Sequence, residues 1–484
     1  MRYGRLRVKR RIHCICSQRF TEARLKRLKD DNMGAWYSPF ISVIDSKSRQ
    51  QQRAMGLEEA GDLVLHIILS KIGPENTARV ACVSKRLKVS ASEDSLWSIF
   101  CSLDLNISTP LGPHGDPSPS FKAAYQSWRE SFRMYPWHLV KRVGRCWDNL
   151  KLWLRLNFPE AEATLRKGAT EEDLEEFESA LKVKLPLPTR LLYRFVDGQE
   201  PSGSLGLIGG YSVYSHEVNV YLLPLKEVMR ETNETMSDLG VSNGSNFIVV
   251  AASATASLKM FFLDCTDGQL YTGTSTRQML PCVPESLIRS VHDVNGEQQQ
   301  DAMLLWLEEH GRRLQTGVIK VREQENVKSI SLFPEVPPLC SVAVTNGVQV
   351  RASSVFIPEV SNLRAQPPAY WYAYSIRMSL MPEGCFLNGR HHSSCQLYWR
   401  HWTIRADDEV IDKVNGEAVI GKYPLLQAEE EEEFVYESCS NFPTTSGSIE
   451  GSFTFVPGSL RDPKGSQFEV KVEEFPLKLP DYIF

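Results

Sequence analysis

Residues 62–72 read Asp-Leu-Val-Leu-His-Ile-Ile-Leu-Ser-Lys-Ile, a helix-length run that is apolar almost all the way round. Asp62 is placed to cap this helix, and Gly73-Pro74 to stop it. Only His66, Ser70 and Lys71 interrupt the apolar surface, so the helix needs cover on more than one side. Asn76 opens a second helical pattern, with Val80, Val83 and Leu87 at spacings of three and four. Ser92, Glu93 and Asp94 open a third, with Leu96, Ile99, Phe100 and Leu103 on one face. Short helices spanning about 40 residues lie near the lower limit for independent folding. Two readings follow: a helical cap packed on its own chain, or a module whose cover is partly a partner protein.

The same residues resemble an F-box. Asp62-Leu63-Val64, Ile67-Ile68-Leu69-Ser70 and Ile72 come first, then Val80-Ala81-Cys82-Val83-Ser84-Lys85-Arg86, then Leu96-Trp97, in the order that family shows. The sequence departs from the family at Gly61-Asp62, where Leu-Pro is usual, and at Leu87, where Trp is usual. The resemblance implies docking on a Skp-type adaptor and, through it, a cullin ubiquitin ligase. The adaptor-binding positions it implies are Leu63, Leu65, Ile67, Ile68, Leu69, Ile72, Val80, Val83, Leu96 and Trp97.

A length of 484 residues predicts a multidomain chain. The net charge of −4 gives no electrostatic case for nucleic acid as a partner. No apolar run approaches the ~20 residues of a membrane span. The eleven cysteines, an odd number without zinc-finger CxxC pairs, read as reduced thiols in the cytoplasm or nucleus. Residues 1–54 begin with Arg2, Arg5, Arg7, Lys9, Arg10 and Arg11, without an acid before Glu22. They read as a disordered basic and polar extension. A targeting segment and an extension upstream of Met55 are the alternatives.

The helical module is expected over 55–104, followed by a Pro/Gly/Ser-rich linker and an aromatic helix over 105–141. In that helix Phe121, Tyr125, Trp128 and Phe132 form a packing stripe. Residues 142–318 read as one α+β domain. Thr170-Glu171-Glu172-Asp173 has capping-box spacing, and Pro188 opens a helix closed by Asp197-Gly198. Strands are predicted at Phe247–Val250, after the Asn243-Gly244 turn, at Met260–Leu263 and at Leu270-Tyr271, with a last helix from Asp301 ending near Gly311. The run Leu174, Phe177, Leu185-Pro186, Leu191-Leu192-Tyr193-Arg194-Phe195-Val196-Asp197-Gly198, with Gly209-Gly210-Tyr211 and Phe262-Leu263-Asp264, resembles a SUKH (Smi/Knr-type) domain. That resemblance implies protein recognition. His216-Glu217 and Cys265 with Asp264 and Asp267 lack a motif fixing a third catalytic group.

Residues 319–338 read as a polar, then Pro-rich, linker, and 339–484 as an all-β domain. Tyr372, Tyr374, Ile376, Met378 and Leu380 alternate with smaller or polar residues, and Asn346-Gly347 between alternating valines signals a hairpin. Short strands with turns between them predict a sandwich or barrel. Arg400-His401-Trp402-Thr403-Ile404, Val414-Asn415-Gly416, Val419-Ile420-Gly421, Pro424-Leu425-Leu426, Phe434, Tyr436, Ser438, Gly447, Ile449, Gly451 and Phe453 resemble the ApaG family, an immunoglobulin/fibronectin-like sandwich. Relatives carry Gly-x-Gly-x-x-Gly. Here the stretch is Gly416-Glu417-Ala418-Val419-Ile420-Gly421, which reads as a turn between strands because no helix N-terminus follows. His391, His392, Cys395 and Cys385 match no structural zinc spacing, and no metal or cofactor is expected. The run Glu429, Glu430, Glu431, Glu432 and Glu433 reads as an exposed loop or as an acidic rim for a basic target.

The succession F-box, SUKH, ApaG resembles plant substrate receptors of the Skp-interacting-partner type, and animal F-box proteins. It implies a non-catalytic subunit of a ubiquitin ligase that binds an unknown protein target. A non-degradative adaptor-bound scaffold and a nucleotide-binding β domain are the alternatives.

Overall fold

Residues 62–105 form three helices. The computed structural model describes residues 57–484, apart from 214–215, 240–245, 254–258, 274–277, 325–326 and 430–431. The extension expected over 1–54 and the Asn243-Gly244 turn lie outside the described residues. Residues 57–61 contain a single 3₁₀ turn, Leu57–Glu59.

Helix α1 (Asp62–Val80) breaks at Gly73 (φ 82°, ψ 169°), a conformation that L side chains resist, so the expected stop is a kink from which the chain resumes helix. Ser84, in extended conformation, accepts a hydrogen bond from the Leu87 amide and starts α2 (Lys85–Ser90). The helix expected to run from Asn76 through Leu87 is therefore two, because Ser84 caps a new start. Helix α3 is Asp94–Leu105. Leu65, Leu69, Leu87, Leu96, Trp97 and Phe100 form the core of this module.

Helix α4 (Phe121–Ser131) is capped by Ser120 and carries Tyr125 into that core. Phe132, just beyond it, joins the next core. There α5 (Trp137–Asn157), α6 (Pro159–Glu162), α7 (Glu171–Leu181), α8 (Leu187–Phe195), α9 (Leu225–Leu239) and α10 (Ala302–Gln315) accompany one mixed sheet. The capping box at Thr170 and Asp173 forms as expected. Helix α10 runs past Gly311 to Gln315. A Cβ at Gly311 would stand 3.3 Å from Leu150, so this glycine serves helix contact rather than helix termination.

The sheet holds β1 (Gly209–Val213), β2 (His216–Leu222), β3 (Phe247–Ser253), β4 (Met260–Asp264), β5 (Leu270–Gly273), β6 (Met279–Pro281), β7 (Lys320–Gln324) and β8 (Val327–Ser331). Its order is β6-β5-β4-β3-β2-β1-β8-β7, antiparallel except for β1 against β8. Strands β7 and β8 fall within 319–338, the stretch read as a linker. Their alternation is short and polar, and β1, the partner that joins β8 to the sheet, lies far upstream. At the β1–β8 contact a Cβ on Gly209 (φ 80°) would stand 2.1 Å from the Ile330 carbonyl oxygen, so only glycine fits.

The β domain is a sandwich. One sheet is ordered β17 (Phe434–Phe442), β11 (Tyr370–Leu380), β10 (Val348–Phe356), β9 (Cys340–Thr345). The other is ordered β15 (Glu409–Glu417), β14 (Ser394–Ala406), β18 (Ser446–Pro457), β19 (Phe468–Lys478), with β16 (Leu425–Gln427) beside β14. A small hairpin, β12 (Cys385–Leu387) with β13 (Arg390–His392), stands apart. The Asn346-Gly347 turn joins β9 to β10, both residues at positive φ, as expected. Tyr374 packs on Phe475 across the two sheets. One continuous apolar core runs through the mixed domain and the sandwich.

Candidate docking surface

Of the ten expected adaptor-binding positions, the fold leaves three open. Leu63 is 74% exposed, Ile67 51% and Val83 71%. Ile68, Ile72 and Val80 are half-buried. Leu65, Leu69, Leu96 and Trp97 lie inside the module, and the Trp97 indole N–H donates to the Ala91 carbonyl oxygen at 2.8 Å. These last four belong to the module's own core, so the structure places them behind the exposed positions rather than beside them. The exposed positions Leu63 and Ile67 lie one turn apart on α1, with Val64 beside them, and form an apolar stripe facing solvent. Val64 was missed because a helix apolar on both sides does not declare which side faces inward. Leu103, expected on the packed face of α3, is also solvent-exposed. Arg86 pairs with Asp62 at 3.1 Å, and His66 with Glu93 at 3.3 Å, at the edges of the stripe.

Asp104, at the end of α3, anchors the module to the rest of the chain. Tyr125 donates to it at 2.7 Å, the Trp137 indole at 3.2 Å and Lys141 at 3.0 Å. Burial opposes the charge of the Asp104 carboxylate, but these donors together outweigh burial and hold the carboxyl below its ordinary range. Arg129 of α4 lies over the Trp137 ring and pairs with Glu75 of α1 at 3.0 Å. Trp128, Phe132 and Phe195 continue the aromatic contact into the mixed domain.

A second cluster fixes the mixed domain to the sandwich. Glu335 accepts from Arg322 at 2.6 Å and Arg351 at 2.9 Å, and pairs by charge with the Arg377 guanidinium at 2.8 Å and with Lys320 at 3.6 Å. Glu433 pairs with Arg351 and, at 3.2 Å, with Arg322. Glu433 is thus half-buried inside an ion-pair network, which corrects its reading as part of an exposed acidic rim. The run ends at β17, beside β11, and that position turns its last carboxylate inward. Glu429 and Glu432 are exposed, while Glu430 and Glu431 lie outside the described residues.

Gly416–Gly421 joins β15 to β16 as a turn in which Ala418 and Ile420 adopt positive φ. The Ala418 and Val419 side chains are buried, and Arg400 donates to the Glu417 and Ala418 carbonyl oxygens. A Cβ therefore fills the place where a phosphate-cradling loop would need open backbone. Cys385 and Cys395 are buried, and the His391 ring packs on Phe386. Burial pushes the Cys385 thiol up to about 11, and the Cys101 thiol likewise with help from Asp94 and Asp104. Such thiols carry little thiolate at neutral pH. Among the described residues, no helix is long and apolar enough to cross a membrane.

Comparison with known proteins follows the same division. The SMI1 / KNR4 family (SUKH-1) matches residues 168–277, and the ApaG domain family matches residues 360–457. "F-box protein SKIP16" of Arabidopsis thaliana is 84% identical over 437 residues, covering 89% of this chain and all of that protein. "F-box only protein 3" of Homo sapiens is 25% identical over 426 residues, 86% of this chain and 82% of that protein. "Protein ApaG" of Methylocella silvestris is 31% identical over 138 residues, 28% of this chain and 92% of that protein.

Proposed function

The chain belongs to the family of F-box protein SKIP16, and on that footing we propose that it is the substrate-recognition subunit of a Skp–cullin–F-box ubiquitin ligase. The observation that carries this reading is the apolar stripe of Leu63, Val64 and Ile67, exposed on a module whose own core is already complete. An exposed apolar stripe on a small helical unit is a surface kept for a partner. That partner is a Skp-type adaptor, which meets the stripe and Val83.

The mechanism is positional. The Asp104 cluster and the α4 aromatics hold the module against the mixed domain, and the Glu335 cluster holds the mixed domain against the sandwich. A target bound by the two C-terminal domains is thereby presented at a fixed place, and its lysines reach a high local concentration near a transferring subunit. Ubiquitin arrives from that other subunit, and the receptor itself is not an enzyme. Free thiols, mostly buried among the described residues, fit a cytoplasmic or nuclear setting.

The test is capture of a Skp-type adaptor by the full-length protein and by the Leu63→Glu, Ile67→Glu, Val83→Glu triple variant. All three sites are exposed, so the variant keeps its melting temperature. Burying such side chains stabilises a complex by about 1.5–3 kcal/mol each, so the variant should bind at least about a hundredfold more weakly. Equal capture by both proteins sinks the proposal. Replacing Leu65 or Leu69 is no substitute, because loss of binding would then report unfolding.

A further inference from the structure

Helices α5 and α10 pack side by side and meet at Leu150 and Gly311. Beside that contact lies an open groove of about 450 Å³, walled by Arg142, Arg145, Arg312 and a single acid, Glu308. The Glu308 carboxylate is taken up by Arg142, which donates to it at 2.7 and 2.6 Å and to Gln300 at 2.9 Å. Arg312 donates twice to Glu309, both times at 2.7 Å. Arg145 is exposed and has no hydrogen-bond or ion-pair partner among the described residues. The carboxylates at the groove are thus engaged, and one guanidinium is left over. A carboxylate brought to Arg145 would gain charge-assisted, bidentate hydrogen bonds without displacing any that the protein already makes.

Helix α5 carries the same face onward past the groove. Arg145, Asn149, Leu152 and Leu156 follow at steps of four, three and four, which places them within an arc of about 60° on the helix. All four are exposed. Leu150 and Leu154 of the same helix lie in the core, so Leu152 and Leu156 are apolar groups that the packing of α5 does not use. The outer face of α5 therefore presents an unpaired cation and, along the same line, two aliphatic side chains.

From this arrangement we propose that the groove between α5 and α10 docks a helical segment of a partner protein, acidic at one end and aliphatic along the same face. Charge complementarity selects this occupant. A free anion would use the arginines and leave Leu152 and Leu156 in water, whereas a purely apolar segment would leave Arg145 uncompensated. An acidic, aliphatic helix meets both. The proposal rests on the receptor reading above in taking that partner for the target, whose chemistry it names. No residue of the α1 stripe lines the groove, so its occupation does not depend on adaptor docking.

The probe is a dye-labelled peptide, Glu-Ala-Gln-Glu-Ala-Ala-Ala-Leu-Ala-Gln-Ala-Leu, whose spacing copies the steps of seven and four residues from Arg145 to Leu152 and Leu156. Two helices can pair in either direction, so this peptide and its reversed sequence are both followed by fluorescence anisotropy against the full-length protein. One of them should bind. Arg145→Glu should weaken that binding about tenfold, and the Leu152→Ser, Leu156→Ser double variant by about as much. All three sites are exposed, so the variants keep the parent's melting temperature. Binding of neither peptide overturns the proposal, as does unchanged affinity in Arg145→Glu. If the leucine variant binds as the parent does, and inorganic phosphate at about 10 mM raises the melting temperature of the parent but not of Arg145→Glu, the groove serves a free anion and the partner reading falls. A dimer on size exclusion that Arg145→Glu abolishes makes a second copy the occupant and likewise overturns it. The adaptor takes no part in the measurement, so failure here leaves its capture by the α1 stripe untouched.

Discussion

Glu335 sits where Lys320, Arg322, Arg351 and Arg377 converge, and Arg377 is wholly buried. Burial alone would raise this carboxyl. The Arg322 hydrogen bonds and the charges of Arg377, Arg322 and Lys320 together reverse that, from 4.5 to about 2. A depressed carboxyl contributes stability that is fully present above its unfolded value, near 4.5, and is lost as the pH falls toward 2. Glu335→Gln should therefore cost about 3–5 kcal/mol near neutrality, because it leaves buried guanidinium charge uncompensated. The gap between the urea midpoints of the parent and variant should narrow steadily from pH 5 to pH 3. A constant gap would mean that the carboxylate charge is not what stabilises the junction. None of this was legible in the sequence. Glu335 stood in a stretch that read as linker, and its cations come from β7, β10 and β11, which only the fold brings together.

Helix α1 shows how much an element's own pattern can and cannot say. Its existence and its interruption at Gly73-Pro74 follow from local chemistry, whereas Asp62, expected as its cap, is its first residue and pairs with Arg86. Its facing does not follow from local chemistry, since Leu63 and Ile67 look the same in sequence as Leu65 and Leu69. Only the packing of Leu87, Leu96 and Trp97 against one side decides it. The capping box of α7 and the Asn346-Gly347 hairpin were legible for the same local reason. Strands β7 and β8 were not, because their hairpin joins the sheet only through the non-local pairing of β8 with β1. At the α1 break, nothing lies within 4 Å of a Cβ built on Gly73, so crowding is absent and only its φ of +82° matters. Gly73→Ala should cost about 1–2 kcal/mol through that backbone conformation alone. Amides of residues 62–80 should then exchange faster, by about tenfold, than in the parent. Unchanged exchange would show that the kink tolerates a side chain.

At the scale of the whole molecule, the mixed domain and the sandwich share one core and the Glu335–Glu433 cluster, although their sequence patterns change period between them. The three-module order was readable from motifs, whereas the fusion of the last two modules into one packed body was not. Calorimetry should therefore record one cooperative transition for the mixed domain and sandwich together, and Arg351→Ala should lower it without splitting it. Two well-separated transitions for those domains would contradict a common core. The placement of β8 beside β1 bears on how the protein is made. Strand β1 leaves the ribosome long before β8, with α9, β3 to β6 and α10 translated in between. Until Ser331 emerges, the Gly209–Val213 edge keeps unpaired amide and carbonyl groups, a template for wrong strands. Translation of residues 282–331 is thus the interval in which the nascent chain most needs a chaperone.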